Sequence, residues 1–278
     1  MKLWKKLIAG LAIALPVFAL AACGSTSSKS TSTNKVVKVG IMSNDREIWQ
    51  DIQKRLKKQD VNIKLVEFTD YTTPNKALED GDVDLNAFQN YTFLDDWNKK
   101  HGTHIVSIGD TYLGPIRAYS TKIKSLSELK NGDKVAIPND PANEGRALNL
   151  LAQEKLIKLK DVATPTTKDI TENKLNLKIV ELDSAQTARS MNDVACAVVN
   201  NDIAAAAKLK VKDSIAVEKI TSKSSPYINF ISAKSAKDKK NKTYQKIVKA
   251  YQTQQTAKLM KKVYKGTTVP AWKGYKAE

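Results

Sequence analysis

The sequence predicts an α/β protein of two lobes, and three observations carry that expectation. A strand, helix, strand unit opens the folded body between Val36 and Phe68. A second alternation of strand and helix starts at Lys134, beyond an extended stretch bent at Gly114-Pro115, and a later extended stretch at Pro226–Ile231 supplies a way back. The body is more than two hundred residues long, enough for two separate cores. Strand, helix, strand units give parallel pairing with helices on the sheet faces.

The chain opens with Lys2, Lys5 and Lys6, then an apolar run from Leu7 to Ala22, then Leu20-Ala21-Ala22-Cys23 across its end. The run is short for a membrane span and reads as a secretory leader. The small residues before Cys23 are similar to a lipobox, in which the cysteine becomes the lipidated first residue; cleavage near Ala22 with a free Cys23 is the other reading. Residues 1–22 are thus expected to be a lipoprotein signal peptide, and residues 23–35, rich in Ser, Thr and Lys, a flexible tether.

Val36–Met42 alternates as a strand, Glu47–Lys58 has the apolar stripe Ile48, Trp49, Ile52 and Leu56 of a helix, and Val61–Phe68 is the second strand. Pro74 and Asn75 begin a short helix, Gly81-Asp82 turns the chain, and Val83–Gln89 is a third strand. Tyr91–Lys100 is a helix stopped at His101-Gly102, followed by a strand at Ile105–Ile108. Thr111–Ser120 reads as the first crossing between lobes, and Ser125–Lys130 as a short helix. Lys134–Ile137 is a buried strand, Pro138–Pro141 a turn, and Asn143–Gln153 a helix with Ala147, Leu148, Leu150 and Leu151 inward. Leu156–Thr171 is polar and loop-rich, Leu175–Leu182 a strand, Ala185–Met191 a short helix, and Val194–Val199 a β-branched strand ending at Asn200-Asn201. Ile215–Ile220 is a strand and Thr243–Lys262 the longest helix, packing the chain's end back on the body. This gives a first lobe of residues 36–116 plus 228–278 and a second of residues 117–227.

Several side chains fall where an open α/β sheet binds ligands, at the carboxyl ends of strands. Tyr71 and Phe88 stand there and read either as core or as pocket walls. Arg146 is expected in the first turn of its helix, where the dipole disfavours a cation; a compensating anion is needed, either a nearby carboxylate or a ligand. Asn200 ends one strand and Asn229 sits between apolar neighbours, and each must bond either to loop backbone or to a ligand.

The formal charge is +17; three lysines belong to the leader, leaving +14 on the rest. The five arginines are scattered and no basic stripe is interleaved with aromatics, so nucleic acid is not an expected partner. A lysine-rich exterior suits an anionic membrane or wall, or plain solvation. Cys196 is the only thiol besides Cys23, so no disulfide framework exists, and it reads as a packed small hydrophobe. His101 and His104 lack a Cys or carboxylate cluster, so no metal site is expected. No P-loop, GxGxxG fingerprint or Ser/His/Asp set occurs; no catalytic residues and no cofactors are expected.

Taken together, D-Y-T-T-P-N-K-A-L (70–78), G-D-V-D-L-N-A-F-Q-N (81–90), I-P-N-D-P-A-N-E-G-R-A-L (137–148), V-V-N-N-D-I-A (198–204), S-P-Y-I-N (225–229) and the leader resemble the NlpA-type methionine-binding lipoproteins, over essentially the whole mature chain. The resemblance implies a two-lobed fold like that of type II periplasmic binding proteins: each lobe a mixed, mostly parallel sheet flanked by helices, with two crossover segments. It further implies a lipid-anchored protein on the extracytoplasmic face of the cell membrane. That protein would be a monomer that delivers methionine, of either hand, or a related amino acid or methionine-containing peptide to the permease and ATPase subunits of an ABC importer. Carried over, Arg146 forks onto the ligand carboxylate with Asn143 assisting, Asn200 and Asn229 bond to its amino and carboxyl groups, and Tyr71 and Phe88 flank the thioether chain. Where the family usually reads F-Q-H with a Pro-Tyr shortly after, this chain has Phe88-Gln89-Asn90 and then Thr92-Phe93. Asn90 and Phe93 thus change the hydrogen bonding of the implied pocket, which bears on the choice of ligand. Other readings are a surface adhesin or wall-binding lipoprotein, or an enzyme on the same fold acting on an amino-acid-like substrate.

Overall fold

A computed structural model describes residues 36–275. The expected signal peptide, Cys23 and the expected tether lie outside the described residues. In chain order the first part holds β1 (Val37–Met42), α1 (Arg46–Lys57), β2 (Ile63–Phe68), α2 (Thr73–Asp80), β3 (Leu85–Asn90), α3 (Tyr91–His101), β4 (Val106–Asp110) and the short β5 (Tyr112–Leu113). Then come β6 (Arg117–Tyr119), β7 (Lys134–Pro138), α4 (Pro141–Gln153), β8 (Lys158–Leu159), β9 (Ile170–Glu172), β10 (Lys178–Leu182), α5 (Ser184–Thr187), β11 (Cys196–Val199), α6 (Asn201–Ala206) and β12 (Ser214–Val217). The chain returns through β13 (Asn229–Ala233), α7 (Lys242–Tyr251), α8 (Gln254–Val263) and β14 (Val269–Pro270).

The strands form two five-stranded sheets of one pattern. The first runs β2-β1-β3-β13-β4 and the second β10-β7-β11-β6-β12. In each, three neighbouring strands are parallel, and one reversed strand, β13 or β6, enters after a crossing and pairs antiparallel on both sides. The α/β, two-lobed expectation holds in this form, and β14 pairs with β5 beside the first crossing.

Alternation along the strands decides which helices cover which face. Val37, Val39 and Ile41 pack with α1, α7 and α8, whereas Phe230 on the opposite face packs with Leu78 of α2 and Leu94 of α3. The second lobe has its own core of Val135, Ile137, Leu148, Leu151 and Val198. A further apolar cluster joins the lobes: Met42, Tyr71 and Phe88 from the first, with Ala136, Val199 and Ile203 from the second. α1 buries the four predicted residues, and α2 and α3 end at Gly81 and Gly102, whose φ of 81° and 64° stop a helix.

Three expectations differ. The helix predicted over 243–262 is two helices, because Gln252 leaves helical geometry to donate to the Asp110 carbonyl at 2.9 Å, and Thr253 caps a new helix by accepting from Thr256 N at 3.2 Å. The loop at 156–171 contains the β8–β9 ribbon. Helix α4 begins two residues earlier than predicted, with Asp140 as its cap and Pro141 at its first position, so Arg146 lies beyond the first turn. Its setting is therefore decided by side chains and not by the dipole.

Candidate ligand-binding site between the lobes

A narrow cavity opens where the carboxyl ends of both sheets face each other. Its lining includes all eight residues singled out in the sequence: Tyr71, Phe88, Asn90 and Phe93 from the first lobe, Asn143, Arg146 and Asn200 from the second, and Asn229 at the return crossing.

The first-lobe wall is aromatic. Tyr71, at the loop before α2, and Phe88, near the end of β3, have ring centroids 6.0 Å apart; Phe93, in the first turn of α3, stands edge-on to both at 6.1 and 5.6 Å. Edge-to-face rings of this kind favour each other electrostatically and leave an apolar, polarizable surface. Asn90 caps α3, its Oδ1 accepting from Phe93 N at 2.9 Å, so Nδ2 is what it offers the cavity. Behind Phe88 a buried amide network fixes the end of β3: Asn75 and Gln89 exchange two bonds of 2.8 Å, and Gln89 also donates to Ser232 Oγ at 3.0 Å.

The second-lobe wall is a chain of amides whose orientations follow from one carboxylate. Asp140 accepts from Asn143 N and Nδ2 at 3.0 and 2.9 Å, so Asn143 Oδ1 faces away and accepts from Asn200 Nδ2 at 2.9 Å. Asn200 Oδ1 is then left buried without a partner. Arg117 fixes Asn201 in the opposite sense by donating to its Oδ1 at 3.0 Å, which leaves Nδ2 as a buried donor without a partner. Buried polar groups are ordinarily satisfied, so an orphan acceptor and an orphan donor from adjacent residues lining one cavity call for a ligand carrying both functions.

Arg146 is 3% exposed, and Glu218 holds it: Nε and Nη2 donate to the two carboxylate oxygens at 3.0 and 2.5 Å, and Nη2 also reaches the Gly114 carbonyl at 2.8 Å. The compensating anion is thus a side chain just past the end of β12. The fork expected to receive a ligand carboxylate is occupied in this conformation, because Glu218 fits it bidentately. Only Nη1 remains lightly used, 3.4 Å from Asn143 Oδ1, and the Tyr227 ring lies 4.9 Å from the guanidinium carbon. Asn229, with its amide turned to satisfy both ends, donates to the Phe88 carbonyl at 3.0 Å.

Two carboxyls near the cavity were not foreseen. Asp202, in the first turn of α6, accepts from Tyr71 Oη across the cleft at 2.5 Å; burial raises its pKa, and burial with this charge beside it holds the Tyr71 phenol well above its usual range. Asp45 accepts from Tyr264 Oη at 2.6 Å, and Tyr264 meets Tyr112 Oη at 3.1 Å on the cavity wall. Complete burial pushes Asp45 up to about 7. An acid in a helix's first turn reads as a dipole partner, so Asp202 gave no separate signal. Cys196 is fully buried and its thiol is pushed up to about 12, away from nucleophilic use. Both histidines are exposed, His101 stacking on Trp97 at 3.8 Å, and no metal-ligand cluster occurs among the described residues.

The NlpA lipoprotein family matches residues 37–272. The D-methionine-binding lipoprotein MetQ of Salmonella typhi is 42% identical over 96% of this chain and 98% of its own. A nutrient-binding protein from Burkholderia cenocepacia, solved bound to methionine, is 47% identical with a TM-score of 0.81, covering 85% of this chain and all of that one. The substrate-binding protein of a methionine transporter from Streptococcus pneumoniae is 40% identical with a TM-score of 0.80, covering 85% of this chain and 96% of that one.

Proposed function

The chain belongs to the NlpA lipoprotein family, and from that membership we propose that it is a lipid-anchored, extracytoplasmic binding protein that captures methionine, or a close relative of it, for an ABC importer. The relatives named above are binding proteins of methionine or of its transporter, which supports transport over the enzyme and adhesin readings. The lipid would be carried on Cys23, and the partners would be the permease and ATPase subunits that receive a monomeric, closed form.

The observation that carries this reading is the pair of orphan atoms, Asn200 Oδ1 and Asn201 Nδ2. In the proposed complex Asn200 Oδ1 and Asn229 Oδ1 accept from the ligand ammonium, and Asn201 Nδ2 and Arg146 Nη1 serve the carboxylate. Asn143 holds Asn200 and Arg146 in place. Tyr71, Phe88 and Phe93 surround the thioether, which gains from contact with ring edges. Asn90 Nδ2 is a donor beside these rings and would pair with an oxygen on the sulfur, so methionine sulfoxide belongs in any ligand panel.

We assign residues 36–116 and 228–278 to one lobe and 117–227 to the other, in keeping with where β6 and β13 enter their sheets. Closure would draw on contacts from both, a population shift driven by the ligand. Titration calorimetry after unfolding and refolding, against L-methionine, D-methionine, methionine sulfoxide and Gly-Met, tests the reading. Saturable binding to one of these, lost in Asn200→Ala, supports it; silence across the panel removes methionine chemistry from the account.

A further inference from the structure

Beyond the cleft, the strongest unexplained feature is a charge asymmetry. Residues 234–275 contain twelve lysines and a single acid, Asp238, and five of those lysines fall within the nine residues from Lys234 to Lys242. The structure folds this run into a 3-10 turn (Ala236–Lys240) leading into α7. Asp238 turns back to accept from Ser235 N and Oγ at 2.9 and 3.0 Å, which spends the only negative group on a cap. α7 buries Ile247, Val248, Ala250 and Tyr251 and leaves Lys242, Lys246 and Lys249 outward. Among the described residues none of Lys237, Lys239, Lys240, Lys242, Lys246 and Lys249 is in an ion pair.

The place of this face is set by the sheet. Ala233, the last residue of β13, pairs with Leu85, and Leu85 pairs with Val39, so the lysine turn begins about 10 Å, two strand spacings, from the start of β1. That is where residues 1–35 join the body. The cavity lies at the other end of the same strands, at Phe88 and Asn229. The acids on this end are Asp60, in the turn before β2, and Glu79, Asp80, Asp82 and Asp84 around the turn after α2, where Lys76 pairs with Asp80 and Lys234 donates to the Glu79 carbonyl. Only thirteen residues, Cys23 to Lys35, separate the expected lipid from the body, so a lipid at Cys23 would keep this end near the bilayer.

We propose that the Lys234–Lys249 face docks the first lobe on an anionic bilayer surface, turning the cleft outward to meet solute. The proposal rests on the lipid-anchored reading. Lysines near an anionic surface each add to the attraction, and the sum decays within a Debye length, so docking is reversible and salt-sensitive.

The test uses the full lipidated chain in phosphatidylcholine vesicles with and without phosphatidylglycerol, read by lysine acylation and mass spectrometry. Lys237, Lys239, Lys240 and Lys242 should be protected about fivefold or more in the anionic vesicles, lose that protection in molar salt, and leave Lys155 and Lys208 of the second lobe unchanged. Lys246 and Lys249, exposed on the same face, report on a variant with all four changed to Glu: their own protection in anionic vesicles should be lost while circular dichroism and ligand binding stay as before. Equal labelling in both vesicle types, or protection of Lys246 and Lys249 that survives the four changes, would overturn the proposal. So would equal protection by soluble polyphosphate in neutral vesicles, since the bilayer would then not be the partner. Failure of the anchor is read separately, as failure of the chain to enter neutral vesicles; sedimentation of the unlipidated chain with anionic vesicles still reports on the face.

Discussion

Tyr71 Oη and Asp202 Oδ1 meet at 2.5 Å, a hydrogen bond from the loop before α2 to the first turn of α6 that ties the two lobes across the cavity. Both residues are at most 8% exposed, so the bond exists only where the lobes are together. Tyr71→Phe removes the donor and leaves a buried carboxyl short of a partner, at a cost of about 1–3 kcal/mol to the closed form. Small-angle scattering of the ligand-free variant should show a larger radius of gyration than the parent, and its ligand affinity should fall. Identical scattering curves would show that this bond does not hold the lobes.

Arg146 and Glu218 should behave as a unit. Arg146→Ala leaves a largely buried Glu218 uncompensated and should cost about 3–5 kcal/mol by denaturant unfolding. Arg146→Ala combined with Glu218→Ala should recover part of that loss, while ligand binding is absent in both. Equal stability of the single and double variants would mean that the pair is not coupled.

Asp45 gives the protein a pH dependence. Its carboxyl, faced by Tyr264 and by the charge of Asp202, is pushed up to about 7 by burial, so between about 4 and 7 the folded state holds a proton that the unfolded state has released. Stability should therefore decline as pH rises through that window and level off above it. Relative to Asp45→Asn, in which this component is absent, the parent should lose roughly 2 kcal/mol between pH 5 and 7.5 in denaturant titrations. Parallel pH profiles for the two proteins would contradict the assignment.

The break between α7 and α8 depends on Thr253. Thr253→Ala removes the cap at Thr256 N and should cost about 1 kcal/mol, a fall of roughly 2–4 °C in Tm. An unchanged Tm would place the break's origin in packing alone.

Much of the fold was legible because periodicity and punctuation agree. The stripe of Ile48, Trp49, Ile52 and Leu56 and the stops at Gly81 and Gly102 announce their elements locally. Local signals misled where a side chain found a distant partner. The apolar stripe from Ile247 to Val263 runs straight through the position where Gln252 turns to Asp110, 142 residues away in sequence. The site shows the same division. The ends of strands pointed to Tyr71, Phe88 and Asn200, and apolar neighbours to Asn229; all four line one cavity with Arg146. Glu218 could not be singled out, because its partner is 72 residues away and its local sequence is that of an exposed strand end.

The central claim is that the cavity recognises both charged ends of an amino acid, and competition with blocked ligands tests it most directly. Refolded protein should be titrated with methionine, its N-acetyl derivative and its methyl ester. Asn200 Oδ1 needs the ammonium as a donor, and Asn201 Nδ2 and Arg146 need the carboxylate as an acceptor. Each blocked form should bind about a hundredfold or more weaker than methionine, since it replaces a charged hydrogen bond with a neutral one and adds a group that the narrow cavity must hold. Binding of either derivative as tight as that of methionine would contradict the account.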